Sequence, residues 1–168
     1  LKMNENFQIE DIEKLEVKTF IKGSKNNDFS VNKNKKILIL GTVFDAQPLL
    51  KSLYKKNEKN IFSKSFSNQI KIKFDNVITG TNDDISNFVM VASVNNGTYN
   101  KLSSKGNFSK DEVVEMSIYQ IDQNKKTLQV FSDRARPFVK NFNFIKGFEG
   151  GKLEYETTIL KSGSTSNL

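Results

Sequence analysis

Ile70-Lys71-Ile72-Lys73-Phe74-Asp75 alternates apolar and charged residues without a break. Successive side chains of a strand point to opposite faces, so this stretch reads as a strand with Ile70, Ile72 and Phe74 on one face. Lys71, Lys73 and Asp75 fall on the other. Further along, Phe88, Met90, Ala92 and Val94 share one face of a second strand, while Val89 and Val91 leave its other face only weakly polar. Asn96-Gly97 then supplies the two positive-φ positions of a tight hairpin turn.

The same rhythm extends in both directions. Strands are expected near Tyr99–Phe108, Val113–Ile121, Leu128–Phe131 and Leu153–Leu160. Asp122-Gln123-Asn124-Lys125-Lys126 and Glu149-Gly150-Gly151 connect them. Phe7 to Phe29 also reads as strands, with a turn near Gly23-Ser24-Lys25-Asn26-Asn27. Short connections between consecutive strands favour antiparallel meanders.

Two segments break the pattern and resemble each other. Ala46, Pro48 and Lys51 recur as Ala135, Pro137 and Lys140, each set following an Asp and enclosing an apolar pair after its Pro. An Asp near a helix start caps free N–H groups, and Pro is tolerated in the first turn. Short helices are therefore expected near Pro48–Lys55 and Pro137–Phe144, inside insertions near 45–57 and 133–146. The fold class is mostly β: an open, curved, groove-like antiparallel sheet with about two short helices.

Composition sets the outer bounds. The 168 residues suit a single β-rich segment spanning 1–168, read as a piece of a longer chain. Hydrophobic residues make up 36%, including 14 Phe and no Trp, enough to cover one face of a sheet but lean for a thick two-layer core. The longest apolar runs, Ile37-Leu38-Ile39-Leu40 and Phe88-Val89-Met90-Val91-Ala92, fall far short of the roughly 20 residues a membrane helix needs. The net charge of +7 could attract nucleic acid or anionic lipid. The abundance of Lys, Asn, Ile and Phe also fits an AT-rich coding bias on a solvated face.

Catalytic signatures are missing. Without His there is no imidazole base, Ser-His-Asp triad or His metal ligand. Without Cys there are no disulfides, and a zinc site would need carboxylates alone. Asp83-Asp84 and Asp111-Glu112 read as turn chemistry, since sequence neighbours on a strand diverge. Gly147-Phe148-Glu149-Gly150-Gly151 lacks the Lys-Ser/Thr end of a phosphate loop and precedes a strand. The expectation is a non-enzyme with no cofactor and no metal.

Phe44–Leu53, FDAQPLLKSL, resembles the segment with the pattern (L/F)D-x-x-P-L(L/I) that follows a strand in AsmA-like proteins of the YhdP type. Ser132–Glu156, SDRARPFVKNFNFIKGFEGGKLEYE, resembles a later segment of the same proteins, with Arg134, Arg136 and Pro137 where acidic and small residues are often found. The order of strands and turns between them agrees, so the resemblance runs from about Lys18 to Leu160. It implies a periplasmic protein held in the bacterial inner membrane by a segment not present here. It further implies strands stacked into a curved sheet whose apolar concave side helps move phospholipid between the inner and outer membranes. On that reading Ile70, Ile72, Phe74, Phe88, Met90 and Val94 are the groove candidates, phospholipid is the partner, and no nucleic acid is expected. A basic β-domain binding nucleic acid and a purely structural envelope scaffold are the alternatives.

Overall fold

The structure is a computed structural model, and it describes residues 1–52, 61–122, 124–139, 150–160 and 163–164. The elements run β1 (Lys2–Met3), β2 (Ile9–Asp11), β3 (Lys14–Ile21), β4 (Ser24–Lys33), β5 (Ile37–Asp45), α1 (Gln47–Ser52), β6 (Asn68–Ile78) and β7 (Ile85–Asn95). They continue with β8 (Thr98–Asn107), β9 (Val113–Gln120), β10 (Lys125–Ser132), α2 (Arg136–Val139), β11 (Leu153–Leu160) and β12 (Gly163–Ser164). Strands β3 to β12 form one ten-stranded open sheet in simple sequence order, and β1 pairs with β2 apart from it. The mostly β, open-sheet architecture with two short helices is thus the one the alternation implies.

One pairing departs from an antiparallel meander. β5 and β6 run parallel, with Ile37 opposite Ile70 and Ile39 opposite Ile72. A parallel partner requires a crossover long enough to bring the chain back to the starting end. Residues 46–67 supply it, beginning with α1. All other neighbours in the large sheet are antiparallel.

The turns follow backbone chemistry. Asn96 (φ 50°) and Gly97 (φ 74°) join β7 to β8 as expected. The turn between β3 and β4 lies at Lys22 (φ 49°) and Gly23 (φ 82°), ahead of the expected stretch, and Ser24 to Asn27 are already strand. Two adjacent positive-φ residues suffice for a tight hairpin, and Gly23 takes the second position without Cβ cost. Gly163 and Ser164 pair with Leu160 and Ile159 as β12.

Two of the register irregularities in the large sheet fall at one level. β5 is bulged against β4 at Thr42, where Asp28 pairs with Val43 and Phe29 with Gly41, and β7 against β8 between Ser86 and Val89, where Asn87 has φ 52°. Bulges shift side-chain parity along a strand. In β6, Phe74 and Val77 are accordingly both buried although three residues apart.

The two helix-bearing segments start alike. The Ala46 N–H donates to the Ile78 carbonyl at the end of β6, and the Ala46 carbonyl accepts from Leu50. The Ala135 N–H donates to the Gly151 carbonyl, and the Ala135 carbonyl accepts from Val139. In the first segment Asp45 caps α1, its Oδ1 accepting the Gln47 N–H at 3.0 Å. In the second, Asp133 does not cap α2. Its Oδ2 accepts the Val113 N–H at 2.9 Å, because β9 starts beside it and needs an acceptor. The Ser132 hydroxyl instead binds the turn itself, donating to the Arg134 carbonyl at 2.7 Å. The expected extensions to Lys55 and Phe144 lie outside the described residues, as does Glu149 of the expected 149–151 connection. None of the helices among the described residues is long and apolar enough to cross a membrane.

Candidate functional site

Cross-strand pairing turns the alternation of single strands into continuous rows on one face. Leu15, Val31, Ile39, Ile72, Met90, Ser104, Met116, Val130 and Tyr155 stand directly opposite one another, one per strand from β3 to β11. This row crosses nearly the whole sheet at right angles to the strands. Ser104 is its one polar member, and its hydroxyl donates to the Met116 carbonyl at 3.4 Å. Parallel to it run Ile37, Ile70, Ala92, Leu102 and Ile118 on one side. Phe29, Gly41, Phe74 and Phe88 run on the other.

The outer two rows are covered by the chain's own segments. Over the Ile70 row lie Ile12 and Phe66, both buried, with Ile9 and Phe62 packed against the same cluster. That cover is laced together: the Ile9 N–H donates to the Ile61 carbonyl and the Ser63 N–H to the Ile9 carbonyl. The Gly97 N–H ties the β7–β8 turn to the Phe66 carbonyl at 2.9 Å. Over the Phe74 row lie Ala46 and Phe138, from the two helix-bearing segments, against Phe74, Val77, Ile85 and Val114. Phe29, Phe44 and Phe74 form an aromatic group there, Phe44 stacking on Phe74 with centroids 5.0 Å apart and Phe29 meeting both edge-on.

Between the covers the middle row is half-open in part, with Val31, Met90 and Ser104 buried along it. Ile39, Ile72, Met116 and Val130 are half-buried, and Tyr155 is 37% exposed. Ile39, Ile72, Phe29 and Phe88 pack against both clusters and join them. A half-open apolar strip flanked by two covered flanks is a shallow groove, suited to an extended apolar ligand whose polar end stays in water.

All six residues singled out in the sequence lie on this face. Ile72 lies in the half-open strip, and Phe88, half-buried, stands in the row beside it. Ile70, Phe74, Met90 and Val94 are buried against the chain itself, at 9% exposure or less. Ile39, Met116, Val130 and Tyr155 complete the strip. Their strands alternate less cleanly in the sequence, and only the pairing register identifies them. Lys71 and Lys73 are exposed on the opposite face, opposite Leu38, Leu40, Val89 and Val91.

Charge gathers at the end of the sheet where α2 sits. Arg134 donates through Nε and Nη2 to Glu112 Oε2, at 3.1 and 2.5 Å, and through Nη1 to Asp83 Oδ1 at 2.9 Å. Its guanidinium also lies over the Phe108 ring, 5.6 Å from the centroid. Asp133 pairs with Lys152 at 2.7 Å. The hydrogen bonds from Arg134 and Ser109 hold the Glu112 carboxyl below its ordinary range. The Lys152 ammonium and the Val113 N–H do the same for Asp133. Depressed folded-state values contribute stability above the unfolded-state pKa, and that contribution disappears as pH falls through the folded value.

Thermal unfolding between about pH 7 and pH 3 is expected to show this loss below roughly pH 4.5. A Glu112→Gln/Asp133→Asn variant should melt lower at neutral pH and show a flatter acid limb. Asp11 and Asp28, lowered mainly by their hydrogen bonds to Lys33 and Lys25, keep their own share in both proteins. Parallel melting curves would remove Glu112 and Asp133 from the acid response.

Among the described residues no group of three or more metal-ligating side chains comes together. Asp83 and Asp84 diverge: Asp83 meets Arg134, while Asp84 Oδ1 accepts the Thr79 N–H at 3.1 Å. Both serve the β6–β7 connection. No family model, curated protein or solved structure matches this chain.

Proposed function

We propose that this chain is a segment of an AsmA-like, cell-envelope protein whose apolar sheet face carries phospholipid acyl chains between the inner and outer membranes. The protein would sit in the periplasm, with its membrane anchor outside these residues. The observation that carries the reading is the row that crosses the sheet between two covered flanks, half-open at Ile39, Ile72, Met116 and Val130 and buried at Met90 and Ser104 between them. Acyl chains gain free energy on leaving water for such a surface, at about 25 cal/mol per Å² buried. The opposite face favours this reading over nucleic-acid binding. There Lys71 and Lys73 neighbour aliphatic Leu38, Leu40, Val89 and Val91, and base stacking needs aromatic platforms.

Site-specific photocrosslinking in cells tests it. A photoreactive residue at Ile72 or Met116 should capture phospholipid. At Lys73 or Ser117, on the opposite face, capture should be at least about tenfold weaker, because side chains alternate across a strand. At Phe74, under the cover, capture should also be low. Equal capture at Ile72 and Lys73, or none at either, removes lipid from this strand and leaves the scaffold reading.

A further inference from the structure

Arg134 touches three separate connections at once. It belongs to the link between β10 and α2, and it reaches Glu112 in the β8–β9 connection and Asp83 in the β6–β7 connection. Asp83 is nine-tenths buried, and its second oxygen, Oδ2, accepts no hydrogen bond and faces Arg136 Nε at 3.6 Å. A buried carboxylate held by cations is strongly destabilised when one is removed. The adjoining strap is apolar underneath: Ala135 is fully buried, Pro137 and Val139 are buried, and Phe138 packs on the Phe74 cluster. Among the described residues its backbone ties to other segments are the Ala135 N–H to Gly151 and the Asp133 N–H to Val113, beside the Asp133 carboxylate that accepts the Val113 N–H and pairs with Lys152. The strap is thus a short apolar cover with polar anchors at Asp133 and Arg134, and Arg134 ties it to both the β6–β7 and the β8–β9 connections.

We infer that residues 133–139 form a latched cover over the Phe74 end of the sheet, that Arg134 is the latch, and that the cover opens locally without the sheet unfolding. For its consequence, admission of an apolar ligand to that end of the groove, the inference rests on the lipid reading. Its test does not. A connection outside the hydrogen-bonded strand ladder opens at lower free energy than the sheet beneath it.

The absence of native cysteine permits single-thiol reporters. Ala135→Cys places one in the strap, and Ala92→Cys, at a residue 3% exposed, places one in the far cluster. In the chain of 168 residues, a maleimide probe should label both slowly. Adding Arg134→Gln should raise labelling at 135 by about tenfold or more while leaving 92 unchanged, the signature of local opening. Glu112→Gln, which leaves the Asp83 contact in place, should give a smaller rise at 135 alone. If both positions accelerate together, Arg134 supports the whole fold and the latch is wrong. If neither changes, the cover is held by its apolar contacts and the latch is again wrong. Failure of lipid crosslinking at Ile72 would leave a positive labelling result standing.

Discussion

Phe74→Ala should lower the unfolding free energy by about 3–5 kcal/mol, the range for emptying a well-packed aromatic site. Phe74 is 3% exposed, stacks on Phe44, meets Phe29 edge-on and anchors the cluster that also receives Phe138. Removing its ring takes a partner from each of these and leaves a hole between two layers that relax only in part. Ile72→Ala, two residues earlier on the same face, should cost only about 1–2 kcal/mol, because a half-buried site leaves less of a cavity. Urea denaturation with unchanged slope would measure both. Equal costs would mean that the strip at Ile72 is ordinary core and would weaken the case for a groove.

That contrast marks the limit of what the sequence discloses. Alternation in Ile70–Asp75 assigns faces, and Asn96-Gly97 assigns a turn, because both depend on neighbours in the chain. Which face residues are covered depends on Ile12, Phe66, Ala46 and Phe138, which reach the sheet from segments outside its strands. Nothing local in β6 separates Ile72 from Ile70. The middle row is likewise a property of register, set strand by strand, and Met116 and Val130 join it only once β9 and β10 are aligned.

The parallel β5–β6 pair and the role of Asp133 were hidden for a related reason. A long crossover permits either strand direction, and an Asp before a helix serves whichever N–H lies nearest. At Asp45 that group belongs to the helix, and at Asp133 to β9. The recurrence of Asp, Ala and Pro was legible, and its physical content is the paired anchoring of Ala46 and Ala135 to neighbouring strands. The Arg134 cluster joins residues 51 and 22 positions apart, so no motif could display it.

Gly41→Ala should be more damaging than its chemistry suggests, costing about 3 kcal/mol, the upper range for overpacking. Gly41 stands opposite Phe29 on β4 and Phe74 on β6, beside the bulge at Thr42. A Cβ there would run into the Phe29 Cβ and the Asp28 carbonyl, and would come within 2.9 Å of the Phe29 Cα. These are backbone or backbone-fixed atoms, so no rotamer change relieves the contact. β4 and β5 must part, or the bulge must move, and either shifts Phe29 away from Phe44 and Phe74. Gly23→Ala makes the control. Gly23 has φ +82° but nothing within 4 Å, so its replacement meets only the backbone cost of about 1 kcal/mol. Were Gly23→Ala the costlier of the two, conformational freedom at the turn would outweigh close approach in the sheet. The bulge would then have slack enough to admit a methyl group, and the aromatic cluster could not be the rigid flank of the groove described above.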